Sequence, residues 1–321
     1  MTTSTGATTT GTLRIGTRRS LLATTQSGLV ADLIRERLGR EVELVEITTH
    51  GDVSSAPLAT MGGTGVFVSA LREALLRGEV DVAVHSLKDL PTQPAEGSAL
   101  AAVPTREDPR DVVVARDGLT LGQLPVGSRV GTGSPRRAAQ LEALGLGLEI
   151  IDIRGNVDSR LAKVASGEYD AVVLARAGLV RIGRANEATE VLDPLQMLPA
   201  PGQGALGIEC RSDDNDLIAE LARLDDPATR AAVTAERAVL AALEAGCSAP
   251  LGVLAEVAEG EHGDELWIRA IALSPDGTLS IRRSTTGAVE DAAGTGNRLA
   301  SEMRADGAAD LIEAPVRKQQ P

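Results

Sequence analysis

The chain has 321 residues, of which 43% are hydrophobic, and it carries a formal net charge of −13 at pH 7. A chain of this length and composition can bury several cores, and we expect two or three domains. The acidic balance excludes a generally basic surface for nucleic acid or an anionic membrane. Base stacking has little support, because the only aromatic residues are Phe67, Tyr169 and Trp267.

The N-terminal segment and the lack of a long apolar stretch predict a soluble cytoplasmic protein. Residues 1–12 are rich in Thr, Ser and Gly and have neither the basic start nor the apolar run of a secretory signal, so they predict a disordered leader. No apolar stretch approaches the roughly 20 residues that span a bilayer. Cys210 and Cys247 are therefore expected to be reduced thiols. The three histidines are scattered without metal-ligand spacing, so no metal is predicted.

Short apolar runs alternate with helical patterns over the first two thirds of the chain, which predicts α/β architecture with largely parallel sheets. The first group of elements is a strand at 13–16, a helix at 20–38, a strand at 42–48, a helix at 67–77 and a strand at 80–85. The second group is strands at 111–115, 129–131, 148–153 and 171–175, with helices at 135–144 and 157–166. A strand at 205–210 is expected to return to the first lobe.

The pattern changes after Gly204. A long Ala-rich helix at 228–245 precedes amphipathic strands at 251–257, 265–273 and 278–285 and a helix at 290–305. Strands joined by short turns indicate an antiparallel sheet in a small third α/β domain. The predicted domains are 13–104 with 205–224, then 105–204, then 225–315, followed by a loose tail at 316–321.

Arginines gather beside small and hydroxyl residues at three places where a strand ends and a helix begins. The three groups are Arg18 and Arg19 with Ser20, Arg136 and Arg137 with Thr132 and Ser134, and Arg154 with Gly155 and Asn156. A guanidinium and nearby backbone N–H groups suit carboxylates or phosphates, and open sheets collect ligands at this edge. The arrangement predicts sites for a small polyanion.

Five short segments stand out by their order and spacing. They are HSLKDLP at 85–91, REDPRD at 106–111, RGNV at 154–157, GQGA at 202–205, and ER at 236–237 with GC at 246–247. Together they resemble porphobilinogen deaminases, also called hydroxymethylbilane synthases, and the resemblance covers roughly residues 13–314. It implies two periplasmic-binding-protein-like lobes plus a small third domain.

The resemblance also implies an activity. Such enzymes are transferases that join four porphobilinogen molecules head to tail with release of ammonia, giving linear hydroxymethylbilane for porphyrin and heme biosynthesis. The implied partners are porphobilinogen and its oligomers, with no nucleic acid and no membrane, and the implied state is a monomer.

The substrate's acetate and propionate groups account for the arginines, because guanidinium forks bind carboxylates strongly. The implied binding residues are Arg18, Ser20, Phe67, Ser86, Thr132, Ser134, Arg136, Arg137, Arg154, Gly155, Asn156, Arg160, Arg181 and Gln203. Gln203 lies between two glycines and is expected at an interdomain hinge. The alternative for any one arginine is a helix cap or a surface ion pair.

Asp89 and Lys88 are the implied catalytic pair. Loss of ammonia leaves an electron-poor azafulvene-like carbon, and a carboxylate near the pyrrole N–H can stabilise the developing positive charge and assist proton transfer. Lys88 would pair with a substrate carboxylate or orient Asp89. The alternative for Asp89 is a helix N-cap or an ion pair with Lys88, and a solvated surface position is the alternative for Lys88.

Cys247 is the implied attachment point of the dipyrromethane cofactor, through a thioether. A thiolate is nucleophilic enough to trap the activated substrate, so the enzyme can build its own primer and retain it. Cys210 is expected to be an inert buried residue.

Some positions depart from the family pattern. Thr60 and Thr64 stand where many relatives carry lysines, which leaves a weakened or specialised paralogue open. A non-catalytic polyanion-binding protein of the periplasmic type is another alternative, although it gives no role to a third domain with Cys247. A cytosolic ligand-sensing module would need a DNA-binding element for which the short leader leaves no space.

Overall fold

Three β-sheets organise the computed structural model, which describes residues 11–47, 65–246, 249–260 and 263–313, with the backbone alone for 65–67. The strands are β1 (Leu13–Thr17), β2 (Val42–Glu46), β3 (Val82–Ser86), β4 (Ser98–Ala102), β5 (Asp111–Ala115), β6 (Arg129–Gly131), β7 (Glu149–Ile151), β8 (Ala171–Ala175), β9 (Glu190–Val191), β10 (Leu206–Arg211), β11 (Leu251–Gly260), β12 (Gly263–Leu273) and β13 (Ser280–Ala288). The helices are α1 (Leu21–Leu38), α2 (Gly65–Leu76), α3 (Pro135–Ala143), α4 (Val157–Ala165), α5 (Arg176–Arg181), α6 (Asn215–Leu221), α7 (Pro227–Ala242), α8 (Ala292–Ala305) and α9 (Ala308–Glu313).

The two five-stranded sheets have the same plan and form two α/β lobes. The strand order is β2-β1-β3-β10-β4 in the first and β7-β6-β8-β5-β9 in the second. In each sheet the first three strands are parallel, and the last two pairings are antiparallel. The expectation of largely parallel sheets is therefore wrong. The fourth strand of each sheet enters directly from the other lobe, so it runs against its neighbours.

The third sheet, β11-β12-β13, is antiparallel throughout. Its inner face packs against α7 and α8 through a core of small and branched side chains that includes Ala235, Val239, Val253, Leu266 and Leu299. Ala-rich helices approach a sheet closely, and the side chains of this core alternate along β11 and β12 as the period of two of a strand requires. Part of the opposite face is buried as well, where Leu254 and Ile271 pack with Ala139 and Leu198. The predicted architecture of two lobes plus a small antiparallel domain is confirmed.

Two crossover segments, 103–110 and 192–205, join the lobes and run side by side. The Glu107 N–H donates to the Gly204 carbonyl oxygen across 3.2 Å. Gly204 has φ +87°, and a Cβ there would overlap the carbonyl oxygen of Glu107. This position therefore requires glycine both for its backbone conformation and for the close approach of the two crossovers.

A buried carboxylate joins the crossovers to the third domain. Glu236 on α7 is 0% exposed and accepts from both terminal nitrogens of Arg106, at 2.7 and 3.1 Å. It also accepts from the N–H groups of Gly202, at 2.6 Å, and Ala255 on β11, at 2.9 Å. One side chain thus ties both crossovers to the third sheet.

Candidate active site

Lys88 and Asp89 lie on a 3₁₀ turn, Leu87–Asp89, directly after β3. Leu87 is buried and anchors the turn, while the guanidinium of Arg237 on α7 donates to the carbonyl oxygens of Leu90 and Pro91, both at 2.7 Å. Asp89 is half-buried, and its carboxylate has no hydrogen bond or ion pair among the residues that the structure describes. The turn therefore presents a carboxylate with no bonded partner in that part of the chain at the carboxyl end of a parallel strand, where open sheets bind ligands.

The ammonium of Lys88 occupies a crowded electrostatic environment. Its Nζ lies 3.4 Å from Oε1 of Gln203 on the second crossover. Burial lowers the pKa of Lys88 to about 8; Arg137 and Arg136 also lower it, whereas Asp89 and Asp111 raise it. Lys88 can therefore lose its proton just above neutral pH.

Arg136 and Arg137, at the start of α3, are buried and share one carboxylate, that of Asp111. Arg136 donates to Oδ2 of Asp111 at 2.7 Å, and Arg137 donates twice to Oδ1, at 3.2 and 2.8 Å. Burial alone would raise the pKa of Asp111, but the two arginines outweigh it and hold the pKa at about 2. Sequence reasoning did not assign a role to Asp111, whose only signal is its place at the end of the REDPRD segment.

The remaining donors of the two arginines differ. Arg137 gives its third nitrogen to the carbonyl oxygen of Val173 at 3.0 Å. Arg136 gives Nη1 to the carbonyl oxygen of Leu198 at 2.6 Å, but its buried Nε has no hydrogen-bond partner within the described ranges. An unsatisfied buried donor beside a cavity is a ready position for an anionic ligand.

A small cavity of about 40 Å³ lies where the two lobes meet the third domain. It is lined by Lys88, Ser134, Arg136, Ala200, Pro201, Leu240, Gly246, Ala249 and Leu251. Gly246 and Ala249 are the described residues on either side of 247–248; Cys247 itself lies outside the described residues. The cavity thus brings the lysine of the first lobe and an arginine of the second next to the chain flanking Cys247.

Hydroxyl and amide side chains begin the helices at this edge. Ser20, Ser134 and Asn156 are the N-caps of α1, α3 and α4. Thr132 is buried and its Oγ1 accepts from the Ser134 N–H at 3.2 Å. Each cap accepts a hydrogen bond from a free N–H in the first turn of its helix. The caps therefore fix the backbone near the arginines that lie next to each helix start.

Arg154 and Arg160 extend the cationic group along α4. Arg154 is exposed and pairs with Asp152 at 2.9 Å, and Arg160 donates to the carbonyl oxygen of Gly155 at 2.9 Å. Gly155 has φ +111°, which a glycine adopts readily. Burial lowers the pKa of Arg160, and the charges of Arg137 and Arg154 lower it further. The three arginines are therefore close enough to produce one region of positive electrostatic potential.

The other predicted residues are more dispersed. Arg181 donates to the carbonyl oxygen of Gly204 at 2.6 Å, Ser86 bonds Gln26 at 3.0 Å, and Arg18 is half-buried directly after β1. The side chain of Phe67, like Thr60 and Thr64, lies outside the described residues. Those positions and their roles stay predictions.

Within the described ranges, no three His, Cys, Asp or Glu side chains are grouped to hold a metal ion. Across the same ranges, no helix combines the length and the apolar character needed to cross a bilayer.

The fold and the site define a two-lobed α/β protein with a cavity, lined in part by a lysine and an arginine, at the junction of its lobes and its third domain. Residues 13–219 match the family model described as porphobilinogen deaminase, dipyromethane cofactor binding domain, and residues 230–305 match porphobilinogen deaminase, C-terminal domain. The chain belongs to the porphobilinogen deaminase family.

Its curated relatives carry the same family name. It is 62% identical over 314 residues to porphobilinogen deaminase 1 of Streptomyces avermitilis, covering 94% of this chain and 97% of the relative. It is 58% identical over 305 residues to porphobilinogen deaminase of Mycobacterium tuberculosis, covering 94% and 98%. Among solved structures, it is similar to a periplasmic substrate-binding protein from Coxiella burnetii, with a TM-score of 0.43, 14% identity and coverage of 67% and 92%.

Proposed function

We propose that this protein joins four porphobilinogen molecules into linear hydroxymethylbilane, consuming one water and releasing four ammonia molecules, in tetrapyrrole biosynthesis. The observation that carries the proposal is the cavity in which Lys88, Ser134 and Arg136 converge beside Gly246 and Ala249. A substrate rich in carboxylates needs such donors, and a covalent primer needs an anchor within reach of them.

The site fits the dipyrromethane that the family model names. The unpartnered Nε of Arg136 points to a missing acceptor, and a carboxylate side group of a pyrrole has the required chemistry. Arg136, Ser134 and Lys88 would hold the group, and Cys247 would attach it through a thioether. When bound, the dipyrromethane supplies the free pyrrole carbon to which substrate units are added.

Asp89 is the proposed catalytic carboxylate. As the aminomethyl C–N bond of porphobilinogen breaks and ammonia leaves, positive charge develops on the pyrrole, and a carboxylate within reach of the pyrrole N–H stabilises it. Asp89 can do this without first breaking an ion pair, because its carboxylate has none among the described residues. The same oxygen can hold and return the pyrrole proton.

The cations of the site orient the substrate rather than react. Arg154, Arg160 and Arg137 share a field that attracts carboxylates, and Lys88 adds a charge that depends on pH. Each charge-assisted hydrogen bond to an acetate or propionate adds binding energy and fixes one orientation of the ring. We further propose a cytoplasmic monomer with the domain boundaries given above.

Intact mass of the purified protein, before and after incubation with porphobilinogen, tests the proposal. We expect the wild type to be heavier than its sequence by two linked pyrrole units, and to gain further units with substrate. Cys247→Ser should lose the added mass. The matched control is Cys210→Ser: this cysteine is buried in the first lobe, and burial raises the pKa of its thiol to about 11, so it cannot anchor the primer.

Two outcomes would contradict the proposal. An unmodified wild type that makes no hydroxymethylbilane would remove the deaminase activity. Equal added mass in Cys247→Ser would remove Cys247 as the anchor. A primed wild type that fails to elongate would identify the weakened paralogue, with Thr60 and Thr64 as the first positions to restore to lysine.

A further inference from the structure

Asp111 is a fully buried carboxylate at the junction of the lobes, and it does not line the cavity. It is 0% exposed and accepts four hydrogen bonds from side chains. Three of them come from Arg136 and Arg137, and the fourth comes from Nε2 of Gln203 at 2.8 Å. A buried anion with this many charged donors is expected to hold those donors in one arrangement.

Gln203 extends this arrangement from the second lobe to the first. Its Nε2 also donates to the carbonyl oxygen of Pro109 at 2.7 Å, on the first crossover, and its Oε1 lies 3.4 Å from Nζ of Lys88. In a single orientation, the amide of Gln203 therefore donates from Nε2 to Asp111 and places Oε1 next to the ammonium of Lys88. Asp111, Gln203 and Lys88 form a continuous polar chain across the hinge.

We propose that Asp111 is a positioning residue for the deaminase reaction: it aims Arg136 at the substrate's carboxylates and keeps Lys88 charged while Lys88 binds one of them. This inference rests on the proposed function. Asp111 acts through its neighbours, since the cavity lining includes Lys88 and Arg136 but not Asp111.

Asp111 binds both arginines, but it leaves them with different numbers of free donors. All three nitrogens of Arg137 are bonded, two to Asp111 and one to Val173, so Arg137 is a fixed part of the framework. Arg136 is held at both terminal nitrogens, by Asp111 and Leu198, which sets the plane of its guanidinium. Its Nε has no hydrogen-bond partner among the residues that the structure describes. Without Asp111, both side chains could turn toward each other's acceptors, and the direction of that donor would be lost.

Asp111 also offsets the charge of the pair. The charged groups that face Lys88 are Asp89 on its own turn, Asp111 on β5, and Arg136 and Arg137 on α3. Asp111→Asn removes an anion that raises the pKa of Lys88 and leaves two cations that lower it. The ammonium would then lose its proton at lower pH. Because only the Gln203 side chain separates Asp111 from Lys88, we expect the pKa of Lys88 to fall by about one unit.

The test compares Asp111→Asn with Asp170→Asn. Asp170 also serves two arginines of the second lobe, Arg116 and Arg129, but it lies at the opposite end of β8. For each variant, hydroxymethylbilane formation is measured as KM and kcat from pH 6 to 10, together with Tm. We expect Asp111→Asn to raise KM about tenfold and to move the alkaline midpoint down by about one unit. Asp170→Asn should keep the KM and the midpoint of the wild type.

The outcomes separate the two proposals. A wild type that makes no hydroxymethylbilane defeats the proposed function itself. An active wild type, together with a folded Asp111→Asn that keeps the wild-type KM and midpoint, overturns only the positioning role. A merely structural role would lower Tm and active fraction without moving the midpoint.

A second variant covers the case in which Asp111→Asn does not fold. Gln203→Met cuts the chain to Lys88 but leaves Asp111 paired with both arginines. We expect a KM raised about threefold and a downward shift of the alkaline midpoint smaller than in Asp111→Asn, because the charge of Asp111 stays in place while the amide oxygen beside Nζ of Lys88 is lost. A wild-type KM for Gln203→Met would overturn the proposal.

Discussion

Glu236→Gln is predicted to destabilise the protein strongly, because each oxygen of Glu236 accepts from two donors. Oε1 receives Arg106 and Ala255, and Oε2 receives Arg106 and Gly202. In either orientation, the amide NH₂ of glutamine would face two N–H donors. The change leaves a guanidinium that is only 10% exposed without its counter-charge. Breaking a buried ion pair in this way costs about 3–5 kcal/mol.

Urea unfolding, followed by far-UV circular dichroism, measures this loss of unfolding free energy. It is obtained from the shift in the urea concentration at the midpoint, provided that the slope of free energy against urea is unchanged. The matched control is Glu256→Gln, which removes the same charge from the same domain. Glu256 pairs with Arg269 at 3.0 Å, but its side chain is 58% exposed, so its loss should cost less than about 1 kcal/mol. If Glu236→Gln lost no more stability than Glu256→Gln, Glu236 would not be the tie between the crossovers and the third sheet.

Two further predictions concern catalysis. Asp89→Ala should keep the fold but lose elongation, because no other carboxylate lies on the 3₁₀ turn at 87–89. Intact mass after incubation with porphobilinogen measures this, and normal product formation would remove Asp89 from the mechanism. Wild-type activity should fall as pH rises through about 8, since Lys88 is charged below its pKa and neutral above it. Lys88→Arg should abolish this alkaline limb, and an unchanged limb would assign it to another group.

Much of the fold could be predicted from the sequence, because apolar runs identify buried strands. The predicted bounds of 111–115, 129–131 and 171–175 coincide with β5, β6 and β8. The short strands β4 and β9 were missed, since Ser98–Ala102 consists mostly of alanine and Glu190–Val191 has only two residues. Strand direction was also mispredicted, because it depends on how the chain crosses between lobes and no local pattern encodes that.

The site was predicted in part. The arginine groups were found because small residues and helix caps accompany them in the sequence. The role of Asp111 was not, because Asp111 meets Arg136 and Arg137 from 25 and 26 residues away and only the sheet topology brings them together. A single aspartate at the start of a strand gives no sequence pattern from which its partners could be predicted.

The late return of β10 to the first sheet has a consequence for biosynthesis. In the first sheet, β10 lies between β3 and β4, yet it is made about one hundred residues after them. While the ribosome is still translating the second lobe, the first lobe therefore has an unfilled slot in its sheet, with the polar edges of two strands open to water. Open edges invite wrong pairings and chaperone binding. The nascent chain must therefore finish the second lobe before the first is complete, and a truncation before residue 206 would leave the second sheet with all its strands but the first sheet without β10.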